Sequence, residues 1–300
     1  MKRRKAVFSL AGVVGLTAAS FVPSAHATET AAGAATEACS TIAGSVTPAG
    51  AQTAVTVTAG MPPTITTPAP LGPSVFPAGQ VRLSSTFEGE ANPAGTTRSG
   101  YAVVGDALYS RSYNFNAGID ETSRIGGGWS NFTAFEVSHF EQGKTWHWMA
   151  YALRNDGTLF RWTVGGGWRS AGSAPGFAAV KSMALISKTP TYDTFLANTR
   201  GGALYTIRIP ITSPMKPIVT PVRTKTWQGF ETMIASKCGN YGTLLLGIDK
   251  DTGSGYVYAV GHTNGMSTVI NSFGKVNGTF PDPVYYRWGV VWYLDPLNGD

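Results

Sequence analysis

An acidic, glycine-rich stretch is the first candidate for chemistry. Residues 251–254 read Asp-Thr-Gly-Ser, a segment that aspartic proteases use, but those enzymes need two carboxylates on matching loops that share one proton. The chain contains no second Asp-Thr-Gly or Asp-Ser-Gly. Asp249 and Asp251 also resemble the start of a calcium loop, although the next alternate positions, Gly253 and Gly255, carry no side-chain oxygen. We interpret the stretch as a hairpin turn, with calcium binding as the alternative, and predict neither a metal site nor a cofactor.

Histidines and carboxylates elsewhere form no catalytic motif in the sequence. The mature histidines, His139, His147 and His262, lack the three- or four-residue spacing of a zinc helix, and no Gly-x-Ser-x-Gly nucleophile elbow occurs. A glycoside hydrolase needs two carboxylates placed across a sugar ring. The candidates for such a pair are Glu136, Glu141, Asp193 and Glu231. We expect no enzymatic activity, with a secreted glycoside hydrolase as the alternative.

The elements that would position any binding residue are β-hairpins. Apolar and polar residues alternate on both sides of a turn rich in Gly, Asp or Asn, which is typical of a hairpin. This unit occurs at residues 101–109, 151–160, 195–205, 245–258 and 292–299. Its turns centre near residues 106, 156, 201, 252 and 298, so the period is about 48 residues.

A second element keeps step with these hairpins. It occurs as IGGGWSNF at residues 125–132, VGGGW at 164–168, TWQGF at 226–230 and, more weakly, at 272–280. Each unit therefore offers three or four short strands, and four strands in a period of about 40 to 50 residues are typical of a β-propeller. We predict an all-β fold, a five-bladed β-propeller, with an irregular β-sandwich as the alternative.

The N-terminal residues have the three-part layout of a secretory signal peptide. Residues 2–5 are basic, residues 6–22 are apolar, and Ala25 and Ala27 frame a cleavage site. Glycines and a proline interrupt the apolar run, which argues against the alternative of a membrane-spanning helix. We predict that residues 1–27 are removed and that the mature protein is secreted, extracellular and not inserted in a membrane.

The predicted signal peptide also accounts for most of the net charge of +6. It contains four of the 23 basic residues, which leaves 19 basic and 17 acidic residues in the mature chain. The remaining lysines and arginines are scattered singly, with no run that would follow a phosphate backbone. Nucleic acid is therefore not an expected partner.

Residues 28–80 form a leader rich in Ala, Thr, Gly and Pro, and residues 81–300 carry the predicted propeller. The fifth unit stops at Asp300, after its hairpin turn, so the leader is expected to supply its outer strands. Residues 53–58 (TAVTVT) alternate as a strand would, and pairing the N- and C-terminal segments would close the ring. Cys39 and Cys238 are predicted to form a disulfide that holds the leader beside the later blades, with two free thiols or a metal pair as alternatives.

Two segments resemble the repeat of the tachylectin-type β-propeller lectins. Residues 151–161 (YALRNDGTLFR) are similar to the family's LYAVRxDGxLYR hairpin, and residues 124–135 (RIGGGWSNFTAF) are similar to its xIGxGWxxF segment. The resemblance covers about residues 100–300, closely in the first two units and loosely in the next two. It implies a five-bladed propeller that binds N-acetylated amino sugars between neighbouring blades. The long leader, the insertion around residues 209–224 and the loss of later Gly-Gly-Gly runs depart from the family, so equal sites in all blades are not expected.

Tryptophans with polar neighbours are the candidate carbohydrate-binding residues. Sugars offer apolar C–H faces that stack on aromatic rings, and hydroxyls that need a few hydrogen-bond partners. The candidates are Trp129, Asn131, Trp168, Arg169, Trp227 and Gln228. The alternative is that these tryptophans pack between blades as core residues. We predict a lectin-like protein that binds amino sugars or cell-wall polysaccharide multivalently, with a protein-interaction scaffold as a further alternative and the oligomeric state left open.

Overall fold

Strands make up most of the chain, as the alternation of its residues predicts. The computed structural model describes residues 38–67, 74–295 and 297–300. These residues form 21 β-strands and two short 3-10 helices, so the prediction of an all-β fold is confirmed. The predicted signal peptide, residues 1–27, lies outside the described residues. In the described part of the chain, no helix has the length and apolar character needed to cross a bilayer.

The strands, in chain order, are β1 (Ser40–Val46), β2 (Gln52–Thr58), β3 (Thr64–Thr66), β4 (Val81–Ser84), β5 (Phe87–Asn92), β6 (Gly95–Val104), β7 (Ala107–Asn114), β8 (Ile119–Gly127), β9 (Phe132–Gln142), β10 (Thr145–Arg154), β11 (Leu159–Thr163), β12 (Arg169–Ala174), β13 (Val180–Lys188), β14 (Tyr192–Thr199), β15 (Leu204–Pro210), β16 (Ile218–Arg223), β17 (Thr232–Cys238), β18 (Gly242–Asp249), β19 (Ser254–Val260), β20 (Ile270–Lys275) and β21 (Val284–Val290). The 3-10 helices are Phe115–Ala117 and Trp292–Leu294.

Three sheets contain four antiparallel strands each, and in every one the strands follow one another in chain order. They consist of β9–β12, β13–β16 and β17–β20. The remaining sheet has nine strands in the order β3-β2-β1-β21-β5-β6-β7-β8, with β4 also paired to β6. Its one parallel pair, β21 with β5, is short and places Trp288 opposite Phe87.

The predicted leader contributes β1, β2 and β3, which extend the sheet of the last strand. β1 pairs antiparallel with β21, so that Ala43 lies opposite Arg287 and Val46 lies opposite Val284. β2 covers the residues whose alternation predicted a strand. The predicted disulfide between Cys39 and Cys238 is confirmed, and their Cα atoms are 5.4 Å apart. It links the residue before β1 to the end of β17.

Four of the five predicted hairpins are confirmed: β6–β7, β10–β11, β14–β15 and β18–β19. Each turns at a glycine in the left-handed region, where an L side chain would be strained. These glycines are Gly105, Gly157, Gly202 and Gly253, with φ of 57°, 83°, 91° and 63°.

The fifth predicted hairpin, at residues 292–299, is wrong. Trp292–Leu294 forms a 3-10 helix, and Asn298 makes an isolated bridge to Ser187. The end of this segment pairs with β13 and not with a second strand of its own, because the amide of Lys188 donates to the carbonyl of Leu297 and the amide of Gly299 donates to the carbonyl of Ile186. We call residues 291–295 and 297–300 the C-terminal strap.

Five hydrophobic clusters fill the spaces between neighbouring sets of strands. Alternate strand residues are buried in them, as the period of two requires. Representative members are Leu108 with Phe135, Tyr151 with Phe195, Leu204 with Leu245, Leu246 with Tyr285, and Phe87 with Tyr286. Each pair joins one set of strands to the next.

Five strands contact one another in a closed cycle. β4 contacts β9, β9 contacts β13, β13 contacts β17, β17 contacts β21, and β21 contacts β4. A cavity of about 120 Å³ is lined by residues from all five strands. The sets of strands are therefore arranged around a shared centre.

Removing the disulfide should lower stability without abolishing the fold. Because the two cysteines are 199 residues apart in the chain, the unfolded state is strongly restricted by the bridge, and its loss should cost about 2–5 kcal/mol. Urea unfolding of the Cys39→Ala, Cys238→Ala double variant tests this. The wild-type protein under reducing conditions should give the same midpoint as the variant. An unchanged midpoint in both would contradict the expectation.

Candidate functional site

Two of the three predicted sugar-binding tryptophans are buried between sheets. Trp129 is 7% exposed, and its ring lies 4.7 Å from Phe132 and 5.5 Å from Trp162. Trp227 is 5% exposed and lies 4.9 Å from Tyr258. A ring enclosed in this way offers little of its face for a sugar to stack on. This geometry supports the core-packing alternative for both residues, and their role in binding stays a prediction.

The other four predicted residues lie at separate places. Trp168 is half-buried and packs against Tyr101 at 5.3 Å. Asn131, Arg169 and Gln228 are exposed, before β9, at the start of β12 and before β17 respectively. The structure therefore does not gather the six predicted residues into one pocket.

A cleft of about 290 Å³ lies between strands β5–β8 and strands β9–β10. Its lining combines aromatic rings with hydroxyl groups. The ring side chains are Tyr101, His139, Trp148 and Trp292. The hydroxyl side chains are Ser85, Thr86, Ser99, Ser110, Ser112 and Ser123. We call this space the serine-lined cleft.

The serines reach the cleft because of the register of three strands. Ser99 on β6 lies opposite Ser112 on β7, and the two hydroxyl oxygens are 3.0 Å apart. Ser110 on β7 lies opposite both Tyr101 on β6 and Ser123 on β8. Since residues two apart share one face of a strand, these side chains form two neighbouring rows on the same face of the sheet.

His139 is stacked between two tryptophans of the cleft. Its ring lies 4.8 Å from Trp148 and 4.4 Å from Trp292, with interplanar angles of 8° and 9°. The indole Nε1 of Trp292 donates to Glu141 Oε2 at 3.0 Å, which holds the outer ring in place. Burial, together with the charge of Lys188, lowers the pKa of His139 to about 4. The imidazole is therefore neutral at neutral pH and continues the aromatic wall.

Glu88 brings a partly buried carboxyl group to the same cleft. Burial raises the pKa of Glu88 to about 7, and the charges of Lys188 and Arg287 oppose that rise only in part. These two cations share one counter-ion, because Arg287 lies 2.6 Å and Lys188 lies 3.7 Å from Asp295 Oδ2. Within the described residues, no group donates a hydrogen bond to the Glu88 carboxyl. This carboxyl group is therefore available to a ligand.

The four carboxylates considered for glycoside hydrolysis are engaged by other groups. Among the described residues, none of the four lines the serine-lined cleft. Their partners are Thr86 for Glu136, Trp292 for Glu141, Tyr151 for Asp193 and Lys181 for Glu231. They stabilise contacts between strands and do not form a pair across this cleft.

The acidic stretch at residues 249–254 forms the turn between β18 and β19. Asp249 Oδ1 accepts a hydrogen bond from the amide of Thr252 at 3.1 Å, which satisfies the turn locally. In the part of the chain that the structure describes, no three His, Cys, Asp or Glu side chains come close enough to hold a metal ion.

Sequence reasoning missed the residues of the serine-lined cleft. Ser110 and Ser112 occur at alternate positions of β7, beside Tyr109 and Tyr113, and that alternation was the available signal. The contribution of Trp292 had no such signal, since it depends on the course of the C-terminal strap.

Comparison with known proteins found no matching family model and no similar curated protein. The geometry of the serine-lined cleft is therefore the basis for the function proposed below.

Replacing Glu88 by Gln should change the pH dependence of stability. The folded-state pKa of about 7 exceeds the ordinary value of 4.5, so the unfolded chain loses this proton first as the pH rises. The free energy of unfolding of the wild type therefore falls between about pH 4.5 and 7 through this group. Glu88→Gln removes that loss, so the variant should be more stable than the wild type by up to about 3 kcal/mol at pH 8 and by little at pH 4.

Urea unfolding of both proteins at pH 4, 6 and 8 measures this difference. The contribution of His139, whose depressed pKa removes stability as the pH falls from 6.5 towards 4, is common to both proteins and cancels in the comparison. A stability difference that does not widen with pH would contradict the expected role of the Glu88 charge.

Truncating Trp129 should destabilise the fold. Trp129→Ala opens a cavity among packed aromatic rings and should cost about 3–5 kcal/mol. The exposed Asn131→Ala should change stability by no more than about 0.5 kcal/mol. Thermal and urea unfolding of both variants measure the difference. A Trp129→Ala variant of unchanged stability that loses sugar binding would restore the predicted binding role.

Proposed function

We propose that this chain is an exported glycan-binding protein built as a five-bladed β-propeller. Its blades are β4–β8, β9–β12, β13–β16, β17–β20, and β21 with β1–β3. The closed cycle of contacts among β4, β9, β13, β17 and β21 supports this ring, as do the five hydrophobic clusters between successive sets of strands.

Export is supported by two observations. Residues 1–27 have the layout of a signal peptide. The Cys39–Cys238 disulfide suits an oxidising compartment, since disulfides persist chiefly outside the cytosol.

The observation that carries the binding proposal is the composition of the serine-lined cleft. Trp148 and Tyr101 offer ring faces that can stack on the C–H face of a pyranose. Four exposed or half-buried hydroxyl side chains, Ser99, Ser110, Ser112 and Ser123, offer hydrogen-bond donors and acceptors to its hydroxyls. A volume of about 290 Å³ suits one or two sugar rings. The cleft also lies between two neighbouring blades, where the resemblance to tachylectin-type lectins implies a sugar site.

A glycoside hydrolase is the second candidate function, and one observation favours it. Glu88 and Glu121 both line the cleft. Burial raises the pKa of Glu88 to about 7, as a general acid requires, while Glu121 is exposed. Lectin and hydrolase would share the cleft and differ in whether the bound glycan is cleaved.

Truncating Trp148 should weaken glycan binding. Loss of one stacking face at the cleft should raise Kd by about tenfold. The matched control is Trp146→Ala, because Trp146 precedes Trp148 by two residues on β10, is 60% exposed and does not line the cleft. An array of amino-sugar, chitin and peptidoglycan fragments identifies the glycan, and calorimetry on the hits measures Kd for both variants.

The same experiment separates the functional classes. Binding without product supports the lectin, whereas product that disappears in Glu88→Gln supports the hydrolase. No binding across the array, or equal loss of binding in the Trp146 and Trp148 variants, would remove the support for a glycan site in this cleft.

A further inference from the structure

The serine-lined cleft has a counterpart between the third and fourth sets of strands. A space of about 200 Å³ is lined by β15, β16 and residues 263–265. The register is the same in both places. Ser99 pairs with Ser112 across β6–β7, and Thr194 pairs with Arg208 across β14–β15. Ser99 and Thr194 each lie five residues before the last residue of their strand, Val104 or Thr199. The two spaces can therefore be compared position by position.

In each of the two sets of strands, directly paired residues form one row of side chains that runs across the strands. In the serine-lined cleft the row is Glu88, Ser99, Ser112 and Glu121, on β5, β6, β7 and β8. In the counterpart the row is Ser187, Thr194, Arg208 and Ile218, on β13, β14, β15 and β16. Directly opposed side chains are close enough to act on one ligand group. The first row carries two carboxyl groups and the second row carries one guanidinium group.

The counterpart already contains a group of opposite charge, supplied by the C-terminal strap. The carboxylate of Asp300 accepts hydrogen bonds from Arg208 Nε at 2.9 Å and from Thr194 Oγ1 at 2.6 Å. Thr263 donates to its other oxygen. Burial alone would raise the pKa of Asp300, but these hydrogen bonds hold it below the ordinary value. The counterpart thus already holds a group whose charge is opposite to that of its row.

The serine-lined cleft has no such match among the described residues. Arg111 is its one basic lining residue, and its guanidinium group is bonded to Asp120 and to the backbone carbonyls of Val75, Ser112 and Glu121. Lys188 and Arg287 lie near Glu88 but pair with Asp295. The lining of the cleft therefore contains two carboxyl groups, Glu88 and Glu121, and one basic residue, which is already paired.

We propose that the serine-lined cleft binds the free ammonium group of a de-N-acetylated amino sugar, with Glu88 as its anionic partner. This inference rests on the proposed glycan-binding function and names the class of sugar. An ammonium group has three N–H donors, and the carboxylate of Glu88 with the hydroxyls of Ser99 and Ser112 provides three acceptors in one row. The ring faces of Tyr101 and Trp148 add cation–π attraction and cover the sugar.

A primary ammonium group fits this row better than a quaternary one. A quaternary group has no N–H donor, so the serine hydroxyls would remain without a partner from the ligand. An N-acetyl group carries no charge, so it forms no ion pair with the Glu88 carboxylate and lacks the charge-assisted hydrogen bonds of an ammonium group.

Binding should also depend on pH through the ionisation of Glu88. In the empty cleft burial raises its pKa to about 7, so much of the group is protonated at pH 5 and cannot pair with an ammonium. The affinity should therefore rise as the pH increases from 5 to 7. The other titratable or charged groups that face Glu88 or line the cleft are Tyr101, Arg111, Glu121, Glu136, His139, Lys188, Arg287 and Asp295.

The test compares oligomers of glucosamine and N-acetylglucosamine of equal length, titrated calorimetrically into the full chain at pH 5 and pH 7. We expect the free-amine oligomer to bind at least tenfold more tightly at pH 7, and to lose most of that advantage at pH 5. Glu88→Gln should remove both the preference and its pH dependence while leaving weak binding of the N-acetylated oligomer. Asp251→Asn, an equal change of charge in an exposed turn on another sheet, should change neither.

Glu121→Gln is a second variant that does not disturb a buried group, because Glu121 is exposed. It should lower the affinity for the free-amine oligomer by a few-fold. Equal or tighter binding of the N-acetylated oligomer, or an unchanged preference in both Glu88→Gln and Glu121→Gln, would overturn the inference and leave the proposed lectin function standing. Tighter binding of choline than of glucosamine would also overturn it. Absence of binding by every glycan, with the fold intact, would remove the proposed function as well.

Discussion

Backbone pairing between β1 and β21 is the interaction on which the arrangement of the sheets depends. It joins the first described strand to the last one, and it gives β21 a partner on the side away from β5. Without it, β21 and β1 would each expose an unpaired edge, which is a site for pairing with other chains. The disulfide from Cys39 to Cys238 reinforces the pairing of β1 with β21. It joins the residue before β1 to the end of β17, which contacts both β1 and β21. β21 in turn contacts β4 and β17, so this pairing connects the leader to the cycle of β4, β9, β13, β17 and β21.

The C-terminal strap makes the two spaces different, although the strands repeat. At one point the strap places Trp292 against His139 and so forms part of the aromatic wall of the serine-lined cleft. Farther along it places the carboxylate of Asp300 on Arg208, where the counterpart cleft would otherwise hold a cation without a partner. Two spaces with the same strand register thus differ in shape and charge. The repeated strands give both spaces the same backbone arrangement. The strap, together with the different residue types in the two rows, determines which space is available for a ligand.

The sequence predicted much of the fold but only a little of the candidate site. Hairpin turns are local, since a glycine with positive φ between alternating residues determines a turn whatever surrounds it, and four of the five predicted turns are present. Residues 292–299 have the composition of a turn, yet their backbone bonds to β13, a partner that no local pattern reveals. Trp129 and Trp227 follow a similar logic. Their recurrence at similar places in the repeat indicated a shared role. It did not show whether each ring packs between strands or faces a ligand.

By itself, the sequence determined the all-β class, the four hairpins, the disulfide partners and the strand in the leader. Alternation and turn chemistry are properties of short segments, and the disulfide partners follow from the presence of only two cysteines. Tertiary structure alone decided which rings are buried, which hydroxyls share a row and which carboxyl group lacks a partner. Those properties depend on the register between strands, which places Glu88 opposite Ser99, and on contacts between residues far apart in the chain, such as Trp292 with His139 across a cleft. Burial of a carboxyl group and the charges around it set its pKa and its access to a ligand, and the sequence does not specify those surroundings.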